Sequence, residues 1–182
     1  EQVGDRANDA LRVDGRDLRC KVFVEGGNLG CTQRGRIEYA LAGGRINTDA
    51  IDNSAGVDTS DHEVNIKILF APLLASGAAT RERRNELLRL SETSVCDSVL
   101  ANNNSQSRMV SFDVRRSRKD VYRYARTLSF LVSSVLFNPD SFGLPTEDEL
   151  AIRARKGGGL YKCDASALCA YSKMLAYRTL LE

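Results

Sequence analysis

The chain has 182 residues, with 26 lysines and arginines against 24 aspartates and glutamates, for a net charge of +2. That length suits one ordinary domain or a smaller one with an appendage, with enough chain to bury a core, and the near balance of charge gives no argument for nucleic-acid, membrane or acidic partners. No apolar run reaches the ~20 residues that a membrane-spanning helix needs, and five cysteines, an odd number with no C-x-x-C spacing, point to free thiols in a soluble protein of a reducing compartment, expected to be the cytoplasm, or the mitochondrion if the source is eukaryotic.

Residues 1–19 are polar, with Gly4 and Asp14-Gly15 as turn signals. A globular domain rarely opens on such a stretch running straight into a strand, so the chain is expected to be a segment of a larger polypeptide. Cys20-Lys21-Val22-Phe23-Val24 has the β-branched, apolar character of a buried strand, and Gly26-Gly27 ends it in a tight turn. Thr32 caps a helix carrying Ile37, Tyr39, Ala40 and Leu41, which Gly43-Gly44 stops. A second small-residue turn, Asn53-Ser54-Ala55-Gly56-Val57, leads through Asp58, Ser60 and Asp61 into a helix over 58–77, with Val64, Ile66, Ile68, Leu69, Leu73 and Leu74 as its broad apolar face. Pro72 is a point of kinking or division within it. Two turns of bare backbone within thirty-odd residues suggest a ligand site at the strand ends of an α/β sheet.

Thr80 caps the next helix, Arg81 to about Leu100, and Asn102-Asn103-Asn104-Ser105 closes it. That polar run is the expected boundary, because the α/β character disappears beyond it. Residues 119–137 are apolar on nearly every side, as in a helix buried among helices, and Asn138-Pro139-Asp140 stops them. Thr146 and Glu149 match a capping box, Gly157-Gly158-Gly159 ends the short helix that follows, and a last helix from about Asp164 to Leu181 carries Leu168, Cys169, Leu175, Ala176 and Leu180 on one face.

Four motifs invite a chemical reading. The dinucleotide fingerprint needs glycines at i, i+2 and i+5, and those places hold Glu25, Gly27 and Gly30, with Asp49 and Asp52 near the ribose-binding offset. The missing first glycine favours a different turn of the same kind of sheet. Asp58, Asp61, His62 and Glu63 cluster within a helical turn, but adjacent helical residues point apart, so acidic helix-start residues are preferred to a metal site. Cys31 at a helix start would need His62, the only histidine, as its base, and a small turn residue is the better reading. The basic cluster Arg115, Arg116, Arg118, Lys119, Arg123 and Arg126 could meet phosphates; a solvated helix face or an interdomain contact is preferred.

Val24-Glu25-Gly26-Gly27-Asn28 resembles the A-E-G-A-N turn of glutamate dehydrogenases, and Asn53 to Ser60 resembles their N-A-G-G-V-x-x-S segment. The wording between them is similar to the large-subunit, NAD-specific class, from about Val3 to Leu69. Gly159-Leu160-Tyr161-Lys162 and Ala170-Tyr171-Ser172-Lys173 resemble pieces of that class's carboxy-terminal helices, with Tyr161 and Cys163 departing from the Thr and Pro expected, so that a helix cap is lost. The resemblance implies an α/β fold, with a partial Rossmann-like nucleotide-binding domain over 1–104 followed by an α-helical region over 105–182. It implies NAD at Gly26, Gly27, Asn28 and Asn53, and substrate at Val57 and Ser60, with Ser60 on the glutamate side-chain carboxylate. Ala55 replaces the first glycine of the family pair. The parent enzyme would interconvert L-glutamate with 2-oxoglutarate and ammonia, as a homo-oligomer without nucleic-acid or membrane partners. The family's catalytic lysine and aspartate and its pyrophosphate loop are expected upstream, leaving this segment inactive alone. The rival expectation is a non-catalytic helical interaction module that binds a partner through the basic helix.

Overall fold

The computed structural model describes residues 4, 6–27, 29–134 and 143–182. Among them no β-strand forms, and the α/β, Rossmann-like expectation is overturned: the fold is all-α. The run expected as a strand makes one isolated parallel bridge, Val22 to Arg45, in which Phe23 N donates to Arg45 O and Arg45 N to Lys21 O, both at 3.0 Å. A strand is stable only where neighbouring backbone continues the ladder. Here two hydrogen bonds exhaust the partner, and Val22 and Val24 stay more than half exposed.

Short 3-10 turns at Asp9–Leu11 and Gly15–Asp17 precede helix α1, Gln33–Leu41. Thr32 Oγ1 caps α1 by accepting Gly35 N, and Gly43, at φ +92°, turns the chain out of it. Helix α2, Asp49–Asp52, leads within one residue into α3, Ser54–Ala75, so the second small-residue turn is already helical from Ser54. Helix α3 runs unbroken through Pro72. Gly77, at φ +76°, reverses the chain into α4, Arg81–Ser117, capped as expected by Thr80.

Helix α4 does not end at the asparagine run. Asparagine competes for helical backbone only when its amide is free to do so, and here Asn103 Nδ2 is spent on Ile51 O at 3.1 Å and Ser54 Oγ at 2.7 Å, while Asn102 Nδ2 donates to Asp58 Oδ2 at 2.9 Å. The run therefore ties α4 to α2 and α3.

Helix α5, Val121–Ser134, is one-sided rather than apolar all round: Val121, Ala125, Leu128 and Leu131 are buried while Tyr122 and Phe130 face solvent. The end expected for it, with Asn138-Pro139-Asp140, lies outside the described residues. Helix α6, Glu147–Arg155, has the capping box in full: Glu149 N donates to Thr146 Oγ1 at 3.2 Å and Thr146 N to Glu149 Oε2 at 2.8 Å.

Helix α7, Lys162–Leu181, starts without a side-chain cap from Tyr161. Asp164 makes good part of the loss by accepting Tyr161 N at 2.8 Å and Arg153 NH1 at 2.6 Å. The core joins Val110 of α4 to α5, α6 and α7, and Ile51 of α2 packs into it, which anchors the second turn to the carboxy-terminal helices. No described helix is long and apolar enough to cross a membrane.

Candidate functional site

The segment 25–31 is apolar-poor and glycine-rich, and what orders it is a set of carboxylates. Glu25, 4% exposed, is held by a fork from Arg36 of α1, Nε to Oε2 at 2.6 Å and NH2 to Oε1 at 2.7 Å, and it also accepts Cys31 N at 3.1 Å. Asp52 Oδ2 accepts Glu25 N at 3.1 Å, and its Oδ1 accepts Asn47 Nδ2 at 2.7 Å. Asp49, itself buried, takes Gly27 N on Oδ1 and Leu29 N on Oδ2, each at 2.8 Å. Of the two aspartates near the ribose offset, Asp49 thus spends both carboxylate oxygens on this turn, and Asp52 spends one on it and the other on Asn47. Their spacing from the glycine turn had singled them out in the sequence, though not the N–H groups they hold; Glu25 and Arg36 had only the oddity of charge beside an apolar run.

Gly27, at φ +99°, lies against Asn53: a Cβ added to Gly27 would stand 2.8 Å from Asn53 Nδ2. From the other side, a Cβ on Gly56 would stand 2.5 Å from Asn53 Oδ1. The two glycine-bearing bends therefore meet on the Asn53 amide. Asparagine is among the best N-cap residues, yet Asn53 stands at the N-cap of α3 without capping it, and no described residue hydrogen-bonds its amide. The side chain is half-buried. Near it in sequence, Asn47 Oδ1 and Thr48 Oγ1 are buried without a partner.

Val57 and Ser60 follow Asn53 at i+4 and i+7, on the same face of α3. Val57 is 57% exposed, and Ser60 Oγ makes only a long bond, 3.4 Å, to Gly56 O. Gly26 is exposed beside Gly27, and Asn28 lies outside the described residues. Gly27 and Gly56 thus both lie against the Asn53 side chain, and Val57 and Ser60 continue from Asn53 along one face of α3.

The other motifs sit apart from these residues. Burial, then the charge of Glu25, raises the Cys31 thiol above its ordinary range, which disfavours a thiolate. His62 Nδ1 lies 3.2 Å from Asp58 Oδ1 in an i,i+4 pair beside Asp61 and Asn65, in a small depression on α3. Arg115, Arg116 and Lys119 border an open groove of about 680 Å³ with Arg108, Met109 and Phe112. Arg118, Arg123 and Arg126 of the expected basic cluster do not line that groove.

Residues 1–113 match a family described as bacterial NAD-glutamate dehydrogenase, catalytic domain. The chain is 46% identical over 180 residues to the NAD-specific glutamate dehydrogenase of Pseudomonas aeruginosa, covering 99% of this chain and 11% of that protein. It is 44% identical over 172 residues to the proteins of the same name from Halomonas elongata and Mycobacterium tuberculosis, covering 94% of this chain and 11% of each. The chain therefore spans about a tenth of the length of the curated relatives it matches. With a family match over more than half its residues, this chain belongs to the bacterial NAD-glutamate dehydrogenases.

Proposed function

We propose that this segment belongs to an NAD-dependent glutamate dehydrogenase and supplies residues that hold the nicotinamide end of the cofactor and the side chain of glutamate. The observation that carries the reading is the Asn53 amide, unspent on described residues and wedged between Gly27 and Gly56, with Val57 and Ser60 next along the same helix face.

The donor set suits the ligand. An amide donates and accepts at once, as a carboxamide or a ribose hydroxyl requires. Gly26 and Gly27 leave the turn without side chains that would hold a flat ring away. The exposed Val57 offers apolar contact, and the Ser60 hydroxyl can donate to the side-chain carboxylate of glutamate. Asn28 is assigned to the same pocket on its motif alone.

Bound NAD supplies the hydride acceptor for reversible deamination of L-glutamate to 2-oxoglutarate and ammonia. The contribution of this chain is orientation: holding ring and amino acid in register lowers the entropic part of the barrier. In this reading residues 1–104 complete the catalytic, NAD-binding portion and residues 105–182 brace it. The catalytic lysine and aspartate lie elsewhere in a larger cytoplasmic homo-oligomer that has neither nucleic acid nor membrane as partner.

The test uses the full-length enzyme. Asn53→Ala should raise KM for NAD about tenfold, as expected for loss of a hydrogen bond to a polar ligand. Ser60→Ala should raise KM for glutamate and leave that for NAD unchanged. Unaltered constants in both variants, or glutamate turnover by the 182-residue chain alone, would refute the assignment.

A further inference from the structure

Leu29 has φ +50°, and it is the one non-glycine residue in the positive-φ region among those described. A leucine there is strained, since its Cβ crowds the following carbonyl. Packing does not repay the cost, because the side chain is 74% exposed. The neighbouring Gly27 is also at positive φ, and both residues donate their backbone N–H groups to one buried carboxylate, that of Asp49, at 2.8 Å each. Asp49 reaches the second bend as well: its backbone carbonyl accepts Asn53 N at 2.8 Å. A single residue thus grips the first turn with its side chain and the amide-bearing residue of the second with its main chain.

We infer that Asp49 is a positioning residue for the cofactor: its carboxylate sustains the strained turn at Gly27 and Leu29 and sets that turn against the Asn53 amide. The inference rests on the assignment of Asn53 to the nicotinamide pocket. Strain left unpaid by packing and held by a buried anion is the signature of backbone shaped for a ligand rather than for stability. Asp49 itself touches no ligand. Asp52 shares the grip through Glu25 N but reaches neither Gly27 nor Leu29, so it is predicted to matter less.

The experiment is steady-state kinetics on the full-length enzyme with Asp49→Asn. One carboxylate oxygen becomes an NH2 group facing an N–H, so one of the two grips turns repulsive. KM for NAD should rise at least about tenfold, while KM for glutamate stays within about twofold. An unchanged NAD constant overturns the proposal. So does a parallel loss of kcat alone that tracks the fraction of enzyme folded, which is what a merely structural aspartate would give. Asn53→Ala separates the two levels of the argument. If Asn53→Ala raises KM for NAD and Asp49→Asn does not, the positioning role fails and the pocket stands; if neither moves it, the pocket itself fails. Should Asp49→Asn not fold, adding Leu29→Gly removes the backbone strain, and the double variant is read in the same way.

Discussion

Replacing Arg36 by methionine isolates what holds the first turn in place. The Arg36 side chain is 8% exposed and its partner Glu25 1%, with the two guanidinium contacts to the carboxylate at 2.6 and 2.7 Å. Methionine fills much of the same volume but leaves the Glu25 carboxylate buried with the Cys31 amide as its remaining described donor. Removing one member of a buried pair costs about 3–5 kcal/mol, because the survivor keeps its desolvation penalty. For a chain of this length ~1 kcal/mol shifts Tm by ~2–4 °C, so Arg36→Met should lower Tm by about 6–20 °C. Urea titration followed by circular dichroism on the 182-residue chain measures the same loss as a shifted midpoint at constant slope. Glu25→Gln added to Arg36→Met should recover a large part of it, since no buried charge then remains. Arg36→Lys, a point charge in place of a planar fork, should fall between. The reasoning is refuted if Arg36→Met lies within about 1 kcal/mol of the parent, or if the double variant is as unstable as the two singles added together.

Three further outcomes follow from other sites. Gly44→Ala places a Cβ 2.2 Å from Cζ of the buried Tyr39, whose hydroxyl donates to Cys20 O at 2.6 Å; a loss of about 1–3 kcal/mol is expected in thermal unfolding, and an unchanged melt would mean that the ring has room to move. Burial raises the Asp164 carboxyl, with Arg153 and the Tyr161 amide opposing, so the folded state holds that proton more tightly than the unfolded chain. Its contribution to stability is full below the ordinary aspartate range and is lost as pH rises through the raised value, so the stability of the parent relative to Asp164→Asn should fall with rising pH across that window; a difference that grows instead would show the Arg153 pair to outweigh burial. Burial pushes the Cys163 thiol up to about 12 and raises Cys31 as well, whereas Cys20 and Cys96 are exposed. Iodoacetamide should therefore label Cys20 and Cys96 in the native chain and reach Cys163 only on unfolding, and labelling of Cys31 ahead of Cys96 would contradict the burial argument.

Features decided within a few residues of themselves were legible in the sequence. The caps at Thr32, Thr80 and Thr146, and the helix exits at Gly43 and Gly77, are local hydrogen bonds or local dihedral requirements, and each falls where its residue type demands. Features that depend on a distant partner were not. The run Cys20–Val24 has strand composition, but composition cannot supply the second and third strands that a sheet needs, and what forms is a single bridge to Arg45. The asparagine run at 102–104 has stop-signal composition, but its amides are occupied by α2 and α3, which nothing within α4 could have foretold. At the candidate site the same division holds: Gly27 and Asn53 could be named from motif, while the partners of Asp49 and Asp52 required the fold.

Among the described residues no sheet backs this turn, which sharpens what the carboxylates do. In a strand-ended turn, the ladder behind it fixes where the glycines point. Here the backbone before the turn has two bridge hydrogen bonds, and the turn after it has Glu25 N on Asp52, Gly27 N and Leu29 N on Asp49, and Cys31 N on Glu25. Four main-chain donors in seven residues are thus satisfied by three side-chain anions, one of them neutralised by Arg36. Side-chain anions hold donors by direction as well as distance, so removing any one frees one stretch of the turn without unfolding the helices that carry the others. That graded dependence separates this arrangement from a sheet, in which one broken register displaces every residue of the strand together. Single substitutions at Asp49, Asp52 and Glu25 should therefore loosen successive parts of the turn, readable as faster amide exchange at Gly27 and Leu29, at Glu25, and at Cys31 respectively. Uniform acceleration across 25–31 in all three variants would show the turn to be one cooperative unit and would overturn the separate-clasp account.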